Sequence, residues 1–123
     1  MKKLYVILLA AIIGLSSVNA QTAYITNNDD TTVSVINVAT NTVTAKIKVS
    51  VEPGAVSVSR DGSKVYIANF GDYSVSVINS ATNKVTNIIN VGTQPSGIAV
   101  SPNGSRVYVA CIGVNRVYIT IVR

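Results

Sequence analysis

Histidine is absent from the 123 residues of this chain, and cysteine occurs once, at position 111. Most zinc and copper sites, and most acid–base catalysis near neutral pH, use imidazole. The lack of histidine therefore argues against both a metal site and a catalytic site of the commonest kinds. A single cysteine also excludes a disulfide framework, which needs an even and larger set. Stability must therefore come from packing and hydrogen-bonded backbone, and we predict no catalytic residue, no cofactor site and no metal site.

Charge is sparse as well, since only 12% of the residues are Asp, Glu, Lys or Arg. The formal net charge is +5, but Lys2 and Lys3 supply two of the ten basic residues. The remaining basic excess is small and scattered, whereas a nucleic-acid surface needs a clustered basic face. We therefore expect no nucleic-acid partner.

The first twenty residues have the organisation of a secretory signal. A basic pair at residues 2–3 precedes an apolar run at residues 4–15, and small residues follow at 16–20. This pattern predicts a signal peptide over residues 1–20, cleaved before Gln21. The apolar run is shorter than the roughly 20 residues that span a bilayer. We expect an exported protein, located outside the cell, at the cell surface or in the periplasm, with no stable membrane span after cleavage.

The remainder of the chain is an internal repeat. Residues 24–65 and 66–107 align without gaps, and 22 of the 42 aligned positions are identical. A third copy begins at Tyr108 and stops at Arg123. A fixed period of about forty residues is typical of repeat architectures such as the β-propeller.

Four segments of the complete copy have strand character. Their β-branched content and period-two alternation predict strands at residues 55–59, 64–69, 73–79 and 84–91. Tight turns connect them, as at Asp61-Gly62. Four short strands repeated every 42 residues describe a propeller blade. The predicted fold class is all-β, a partial β-propeller of about two and a half four-stranded antiparallel blades, with repeats starting near residues 24, 66 and 108 of the segment 21–123.

Several motifs of this segment resemble the YVTN family of β-propeller repeats. The tetrads at Tyr24 (YITN) and Tyr66 (YIAN) carry the resemblance, together with the VSVIN strands and ATN turns at fixed spacing. The family occurs in microbial surface layers and other exported proteins. The resemblance therefore implies a non-enzymatic cell-surface or binding module, whose partner would be a cell-envelope polymer or protein.

The chain departs from such propellers in its number of strands. Propellers of this type usually close with about seven blades, whereas we expect blades of three, four and three strands here. The first blade is expected to lack its opening strand and the last its closing strand, which leaves apolar blade faces uncovered. The sequence therefore suggests a fragment of a larger propeller, with further blades as partners. A small oligomer is the alternative.

The loops between second and third strands share one rim with the loops between blades. The candidate contact surface for a ligand or partner on this rim consists of Asn28, Asp29, Asp30, Phe70, Gly71, Asp72 and Tyr73. Phe70 and Tyr73 would be apolar anchors. The alternative is that Gly71 and Asp72 simply turn the chain. Two adjacent aspartates fall short of the roughly six to eight oxygens of a Ca²⁺ site.

A propeller enzyme is the competing interpretation, either a lactonase or a redox subunit of the nitrous-oxide-reductase or quinoprotein type. We expect a non-enzymatic protein instead, because such sites draw on histidine, acidic clusters or metals from many blades. Tyr24, Tyr66 and Tyr108 recur at one repeat position, which indicates packing rather than ligand stacking. Cys111 has no histidine that could act as its base, so we do not expect a catalytic nucleophile. We expect Cys111 to be buried and to pack as a small apolar residue.

Overall fold

A computed structural model describes residues 4–11 and 21–121, and the side chains of residues 21–120. Within these ranges the chain forms β-strands and a short 3-10 helix at Asn28–Asp30. No helix of this part of the chain is long and apolar enough to cross a membrane. The strands are β1 (Leu4–Ala11), β2 (Gln21–Asn27), β3 (Thr32–Asn37), β4 (Thr42–Lys48), β5 (Pro53–Val58), β6 (Lys64–Asn69), β7 (Ser74–Asn79), β8 (Lys84–Asn90), β9 (Pro95–Val100), β10 (Arg106–Cys111) and β11 (Arg116–Ile121).

The strands form three antiparallel sheets in which each strand pairs with its neighbour in sequence. Their orders are β1-β2-β3-β4, β5-β6-β7-β8 and β9-β10-β11. The first strands of successive sheets contact each other, β1 with β5 and β5 with β9. In a propeller the first strands of the blades surround the central channel. The predicted all-β partial propeller is confirmed, and each sheet is one blade.

The first blade has four strands, and the expectation of three was wrong. Its additional strand, β1, comes from the apolar run and pairs antiparallel with β2, with Leu4 opposite Asn27 and Ala11 opposite Gln21. Alternation of apolar and polar residues could not reveal this strand, because a continuous apolar run has no such period. The predicted cleavage segment, residues 16–20, lies outside the described residues.

Backbone conformation repeats with the sequence. Thr31, Tyr73 and Asn115 lie one repeat apart and have φ values of 56°, 52° and 49°. Gly62 lies in the predicted Asp-Gly turn, and Gly104 lies in the equivalent Asn-Gly turn one repeat later; their φ values are 75° and 74°. Both dipeptides suit such turns because they tolerate positive φ. The loops of successive blades therefore follow the same path, which brings equivalent loops to the same end of the sheets.

Two apolar clusters fill the spaces between successive blades. The first consists of Tyr24, Val33, Val35, Ile47, Val56, Val58, Val65, Ile67 and Ile78. The second consists of Tyr66, Val75, Val77, Val107, Val109 and Cys111. We call the face that carries Tyr66, Val75 and Val77 in the second blade, and the equivalent face in the others, the trailing face. The opposite face, with Val65, Ile67 and Ile78 in the second blade, is the leading face. In the middle blade, β6 and β7 are buried on both faces, whereas the outer strand β8 is mostly exposed.

Candidate functional site

A cleft lies on the rim where β5 and β9 begin, and we call it the rim cleft. It has a volume of about 480 Å³. Its described lining residues are Asn28, Glu52, Gly54, Ala55, Phe70, Pro95 and Ser96. Because β2 and β6 end on this rim while β5 and β9 start there, loops from all three blades meet at the cleft.

Two equivalent turns lead into the cleft. Glu52 and Gln94 lie one repeat apart, and their φ values are 52° and 56°. A proline follows each of them and opens β5 or β9. Proline has no N–H to donate, so it is accepted at the first position of a strand. The backbone N–H of Phe70 donates to the carbonyl oxygen of Glu52 at 2.9 Å, which fixes Glu52 against the loop after β6.

Three of the predicted rim residues form or support the cleft. Asn28 and Phe70 line it, and the Asn28 side-chain amide donates to the Pro53 carbonyl oxygen at 3.4 Å. Gly71 lies beneath the Glu52 side chain. A Cβ atom at Gly71 would lie 3.0 Å from Oε2 of Glu52 and 2.9 Å from Cγ1 of Val51. The lack of a side chain at Gly71 therefore leaves room for the Glu52 carboxylate.

Four of the predicted rim residues lie outside the described lining: Asp29, Asp30, Asp72 and Tyr73. The Asp72 carboxylate accepts hydrogen bonds from Oγ of Ser50 and, at 3.1 Å, from Oγ of Ser74. Oδ2 of Asp30 lies 3.8 Å from Nζ of Lys46. Asp72 therefore connects neighbouring loops of the rim, whereas Asp30 pairs with a residue of β4.

Glu52 and Ser96 are the polar lining residues that the sequence did not single out. The sequence indicated only that the loops between blades lie on this rim. The available signal was the repeat itself, which places Glu52 and Gln94 at equivalent positions directly before Pro53 and Pro95. Nothing in the sequence alone showed that these loops meet the loop containing Asn28.

The rim cleft combines a carboxylate, an amide, a hydroxyl and an aromatic wall. A carboxylate can accept a proton from water, and the amide and hydroxyl can donate hydrogen bonds to a carbonyl oxygen. None of the described lining residues is cationic, which favours a neutral ligand over a phosphate. The described chain contains no group of three or more His, Cys, Asp or Glu residues that could hold a metal ion.

A second cavity lies at the opposite end of β5 and β9, and we call it the basal cavity. It has a volume of about 520 Å³. Its described lining residues are Ser59, Arg60, Asp61, Ser63, Lys64, Tyr66, Pro102, Asn103 and Gly104. Tyr66 is wholly buried, and its hydroxyl has no hydrogen-bond partner. The cavity is therefore lined by a buried tyrosine whose hydroxyl has no hydrogen-bond partner among the described residues.

Tyr24 lies one repeat before Tyr66 and does have a partner. Its hydroxyl is hydrogen-bonded to Ser80. Oγ of Ser80 also donates to the carbonyl oxygen of Gly62 at 2.6 Å. The residue one repeat after Ser80 is Val122, whose side chain has no polar atom. Burial raises the pKa of both tyrosines, so both hydroxyls keep their protons.

Removing the two hydroxyls should have different consequences. Tyr24→Phe is expected to lower the free energy of unfolding by about 1 kcal/mol, because it breaks a buried hydrogen bond. Tyr66→Phe should leave stability unchanged or raise it by up to about 1 kcal/mol, because it removes an unpartnered buried hydroxyl. Urea denaturation of both variants measures the difference. An equal loss of stability in both would contradict the assignment.

The turn beside the basal cavity contains a carboxylate whose pKa is strongly lowered. Oδ1 of Asp61 accepts hydrogen bonds from the backbone N–H of Ser63 at 3.0 Å, from Oγ of Ser63 at 2.8 Å and from Oγ of Ser59 at 2.7 Å. These bonds lower the pKa of Asp61 to about 2, and the Ser63 backbone N–H contributes most. Asn103 lies one repeat later and accepts the same three bonds from the equivalent serines.

Asp61→Asn should remove a pH dependence of stability. The folded pKa of Asp61 lies below its ordinary 3.8, so its stabilising contribution is present above about pH 4 and is lost as the pH falls toward about 2. The variant keeps the acceptor, as Asn103 shows, but has no charge to lose. Thermal unfolding between about pH 5 and pH 2 should show the wild type losing stability relative to the variant. A constant difference in melting temperature, or an equal change in the control Asp29→Asn, would refute this.

Cys111 is 1% exposed, which confirms the prediction of a buried, small residue. Burial raises the pKa of the thiol, and a hydrogen bond with the Gly92 backbone offsets this in part. The thiol is therefore not activated as a nucleophile.

Comparison with protein families identifies the chain. Residues 15–122 match the family described as lactonase, seven-bladed β-propeller. The chain therefore belongs to this family of lactonase-type propellers. Comparison with curated proteins gives no significant match.

Solved structures agree on the architecture. The chain is 34% identical to a chain of Kuenenia stuttgartiensis hydrazine synthase, with a TM-score of 0.78, covering 81% of this chain and 29% of that one. A proposed 6-phosphogluconolactonase from Bacteroides fragilis is 22% identical with a TM-score of 0.75, covering 83% and 32%. A protein of unknown function from Desulfotomaculum acetoxidans is 18% identical with a TM-score of 0.68, covering 83% and 37%. The chain thus spans about a third of each of these proteins.

These findings correct the expected function. The propeller implied by the YVTN resemblance is confirmed, but nothing in the comparisons supports a surface-layer protein. The expectation of a non-enzymatic module was wrong, because the family match indicates an enzyme-type propeller. The lack of histidine was too weak a reason to expect a non-enzymatic protein, because it excludes only the chemistry that needs imidazole. A carboxylate on a rim loop, such as Glu52, needs no histidine to activate water.

Proposed function

We propose that this chain is part of a lactonase-type propeller enzyme, and that the rim cleft contributes to its substrate site. Membership of the lactonase family over residues 15–122 carries the proposal. The cleft supports it because it lies at the inner end of the blades, where loops of several blades converge on a ligand. Since the chain supplies about a third of such a propeller, the complete site would also involve further blades.

The polar groups of the cleft suit the hydrolysis of a cyclic ester. The Glu52 carboxylate would take a proton from a water molecule as the water oxygen bonds to the ring carbonyl carbon. The ring C–O bond then breaks, and the proton passes to the departing alkoxide oxygen, which gives the open hydroxy acid. The Asn28 side-chain amide would donate a hydrogen bond to the carbonyl oxygen as negative charge develops there. The Ser96 hydroxyl, which donates to the Ala110 carbonyl oxygen at 3.4 Å, would rotate to donate to the substrate instead. Phe70 would pack against the apolar face of the ring.

The charge of the cleft bears on whether the lactone is neutral or phosphorylated. Glu52 is the charged residue among the described lining residues. A phosphate group beside this carboxylate would be repelled, since like charges at short distance disfavour each other. We therefore propose a neutral lactone, in contrast to the phosphorylated substrate in the name of the Bacteroides fragilis protein.

Hydrolysis of δ-gluconolactone by the full chain tests this function. Loss of the lactone can be followed by its hydroxamate, and binding by calorimetry. Glu52→Gln should lower the rate by about a hundredfold or more, because it removes the general base. Asp29→Asn is the matched control, since it neutralises an exposed carboxylate of the same rim outside the cleft, and its rate should equal that of the wild type. Failure of the wild type to bind the lactone, or equal rates for Glu52→Gln and the wild type, would refute the proposal.

A second candidate is a propeller segment of a redox enzyme. It is favoured by the 34% identity with the hydrazine synthase chain, which exceeds the 22% identity with the proposed lactonase structure. In that case the rim cleft would serve as a support surface without its own hydrolysis. Glu52-dependent hydrolysis of a lactone would exclude this candidate in favour of the first.

We also propose that the chain is exported. The charged and apolar pattern of residues 2–15 supports this, and the family match itself begins only at residue 15. Removal of residues 1–20 would take away β1 and make β2 the inner edge of the first blade. N-terminal sequencing of the protein from its native host tests the proposal, and a mature chain that starts before Gln21 would contradict it.

A further inference from the structure

The basal cavity contains a polar group that the fold leaves without a partner. Tyr66 lines the cavity and is 0% exposed, and its hydroxyl has no hydrogen-bond partner among the described residues. Buried hydroxyl groups of folded proteins are nearly always paired, because an unpaired one loses its bonds to water and gains none in return. A ligand that accepts a hydrogen bond would supply the missing partner.

The Tyr66 hydroxyl lies at the end of β6 that borders the basal cavity. One repeat earlier, the Tyr24 hydroxyl is hydrogen-bonded to Ser80, which also donates to the Gly62 carbonyl oxygen in the turn beside the cavity. The equivalent tyrosine therefore reaches the same end of its own blade. Burial and, in addition, the negative charge of Asp61 raise the pKa of Tyr66, so the hydroxyl is close to this lining residue and keeps a proton to donate.

The other polar groups of the cavity are mainly hydrogen-bond donors. Arg60 and Lys64 line it, and their cationic groups donate but cannot accept. Lys64 lies two residues before Tyr66 in β6, so both side chains project from the trailing face. Oδ1 of Asn103 accepts three hydrogen bonds from neighbouring serines, which leaves its amide N–H groups to donate. A molecule in this cavity must therefore mainly accept hydrogen bonds.

The charge of the cavity favours an anion with a single negative charge. Two cations, Arg60 and Lys64, and one carboxylate, Asp61, give the described lining a net charge of +1, two less one. Asp61 would repel a doubly charged phosphate more strongly than a carboxylate. A carboxylate also matches the planar guanidinium group, which can donate two parallel hydrogen bonds to it.

We infer that the basal cavity binds a small hydroxylated monocarboxylate, whose carboxylate accepts hydrogen bonds from Tyr66, Arg60 and Lys64. Hydroxyl groups of the ligand would donate to the Asp61 carboxylate and accept from the Asn103 amide. The volume of about 520 Å³ has room for a ligand of several carbon atoms.

Entry of the ligand requires a small rearrangement, since water does not reach the Tyr66 hydroxyl in this conformation. The Arg60 side chain is exposed and would move as the ligand enters. The site lies at the end of the blades opposite the rim cleft and does not depend on the proposed lactonase activity.

An NMR titration of the full chain with D-gluconate tests this site. Gluconate should shift the backbone amide signals of Ser63 and Gly104, while the amides of Phe70 and Ser96 report separately on the rim cleft. Sorbitol is the matched ligand, because it has the same carbon chain with a hydroxymethyl group in place of the carboxylate. Sorbitol and inorganic phosphate should bind at Ser63 and Gly104 more weakly than gluconate by roughly tenfold or more.

Two variants test the proposed donors. Tyr66→Phe and Arg60→Gln should each raise the dissociation constant of gluconate by roughly tenfold, because each removes a hydrogen bond to a charged group. Tyr66→Phe should remain at least as stable as the wild type, so weaker binding would not come from unfolding. Lys48→Gln is the matched control, since it removes an exposed cation of β4 outside the described lining and should bind gluconate like the wild type.

Each outcome decides the matter. Gluconate binding at Ser63 and Gly104 that weakens in both Tyr66→Phe and Arg60→Gln supports the site. Unshifted signals overturn it, as does equal or tighter binding of sorbitol or phosphate. Wild-type affinity in Tyr66→Phe also overturns it, because the hydroxyl would then serve no ligand. A loss in Lys48→Gln as large as that in Arg60→Gln would show a general effect of charge and overturn it as well.

Discussion

Ile78→Ala is expected to lower the free energy of unfolding by about 3–4 kcal/mol. Ile78 is 0% exposed and belongs to the cluster that joins the first and second blades. Its truncation removes buried apolar surface and leaves a cavity between two sheets that can collapse only in part. Urea denaturation monitored by circular dichroism measures the change.

Ile88→Ala provides the control for this prediction. Ile88 lies on the adjacent strand of the same blade but is 56% exposed, so its truncation should change stability by less than about 0.5 kcal/mol. A similar loss in both variants would mean that Ile78 is not at a packed interface.

Asn69→Ala is expected to lower the free energy of unfolding by about 2–3 kcal/mol. The Asn69 side-chain amide donates to Oγ of Ser74 at 3.1 Å and to Oγ of Ser76 at 2.9 Å. All three residues are at most 1% exposed. Ser74 also donates to Asp72 and keeps that partner, but the substitution leaves the Ser76 hydroxyl buried without its donor. Thermal and urea denaturation both measure the loss.

A double variant separates the hydrogen bond from the packing. Asn69→Ala/Ser76→Ala should recover part of the loss, because it removes the stranded hydroxyl, and a double-mutant cycle gives the coupling between the two side chains. If the stability changes of the two single variants simply add in the double variant, the hydrogen bond makes no net contribution to the free energy of unfolding. The third blade does not repeat the Asn–Ser hydrogen bond, since Cys111 and Tyr118 occupy the positions equivalent to Asn69 and Ser76.

The sequence predicted the repeating part of the fold closely because the physical signal was local and occurred more than once. The predicted strand at residues 64–69 matches β6, and the predicted turn at Gly62 has the expected positive φ. The buried roles of Tyr24 and Cys111 followed from repeat position and chemistry. The strand β1 did not follow, because an apolar run without alternation has the same composition in a sheet as in a signal segment.

The candidate site was predicted only in part. The rim and two of its cleft residues, Asn28 and Phe70, were identified from the topology of an antiparallel blade. Glu52 was not, because its importance depends on the positive-φ turn that directs it over Gly71. Asp72 was expected at a ligand surface, but the fold places it in hydrogen bonds with neighbouring serines, where it holds loops together.

The sequence by itself determined the repeat, the strands and the all-β propeller architecture, since these depend on periodicity and turn chemistry within about forty residues. Only the tertiary structure decided which loops meet at the rim cleft, which tyrosine hydroxyl has a partner and which blade faces are covered. These properties depend on contacts between residues one or more repeats apart. A residue such as Tyr66 or Tyr108 has the same sequence surroundings as its equivalents, and only the neighbouring blade determines whether it is buried, bonded or exposed.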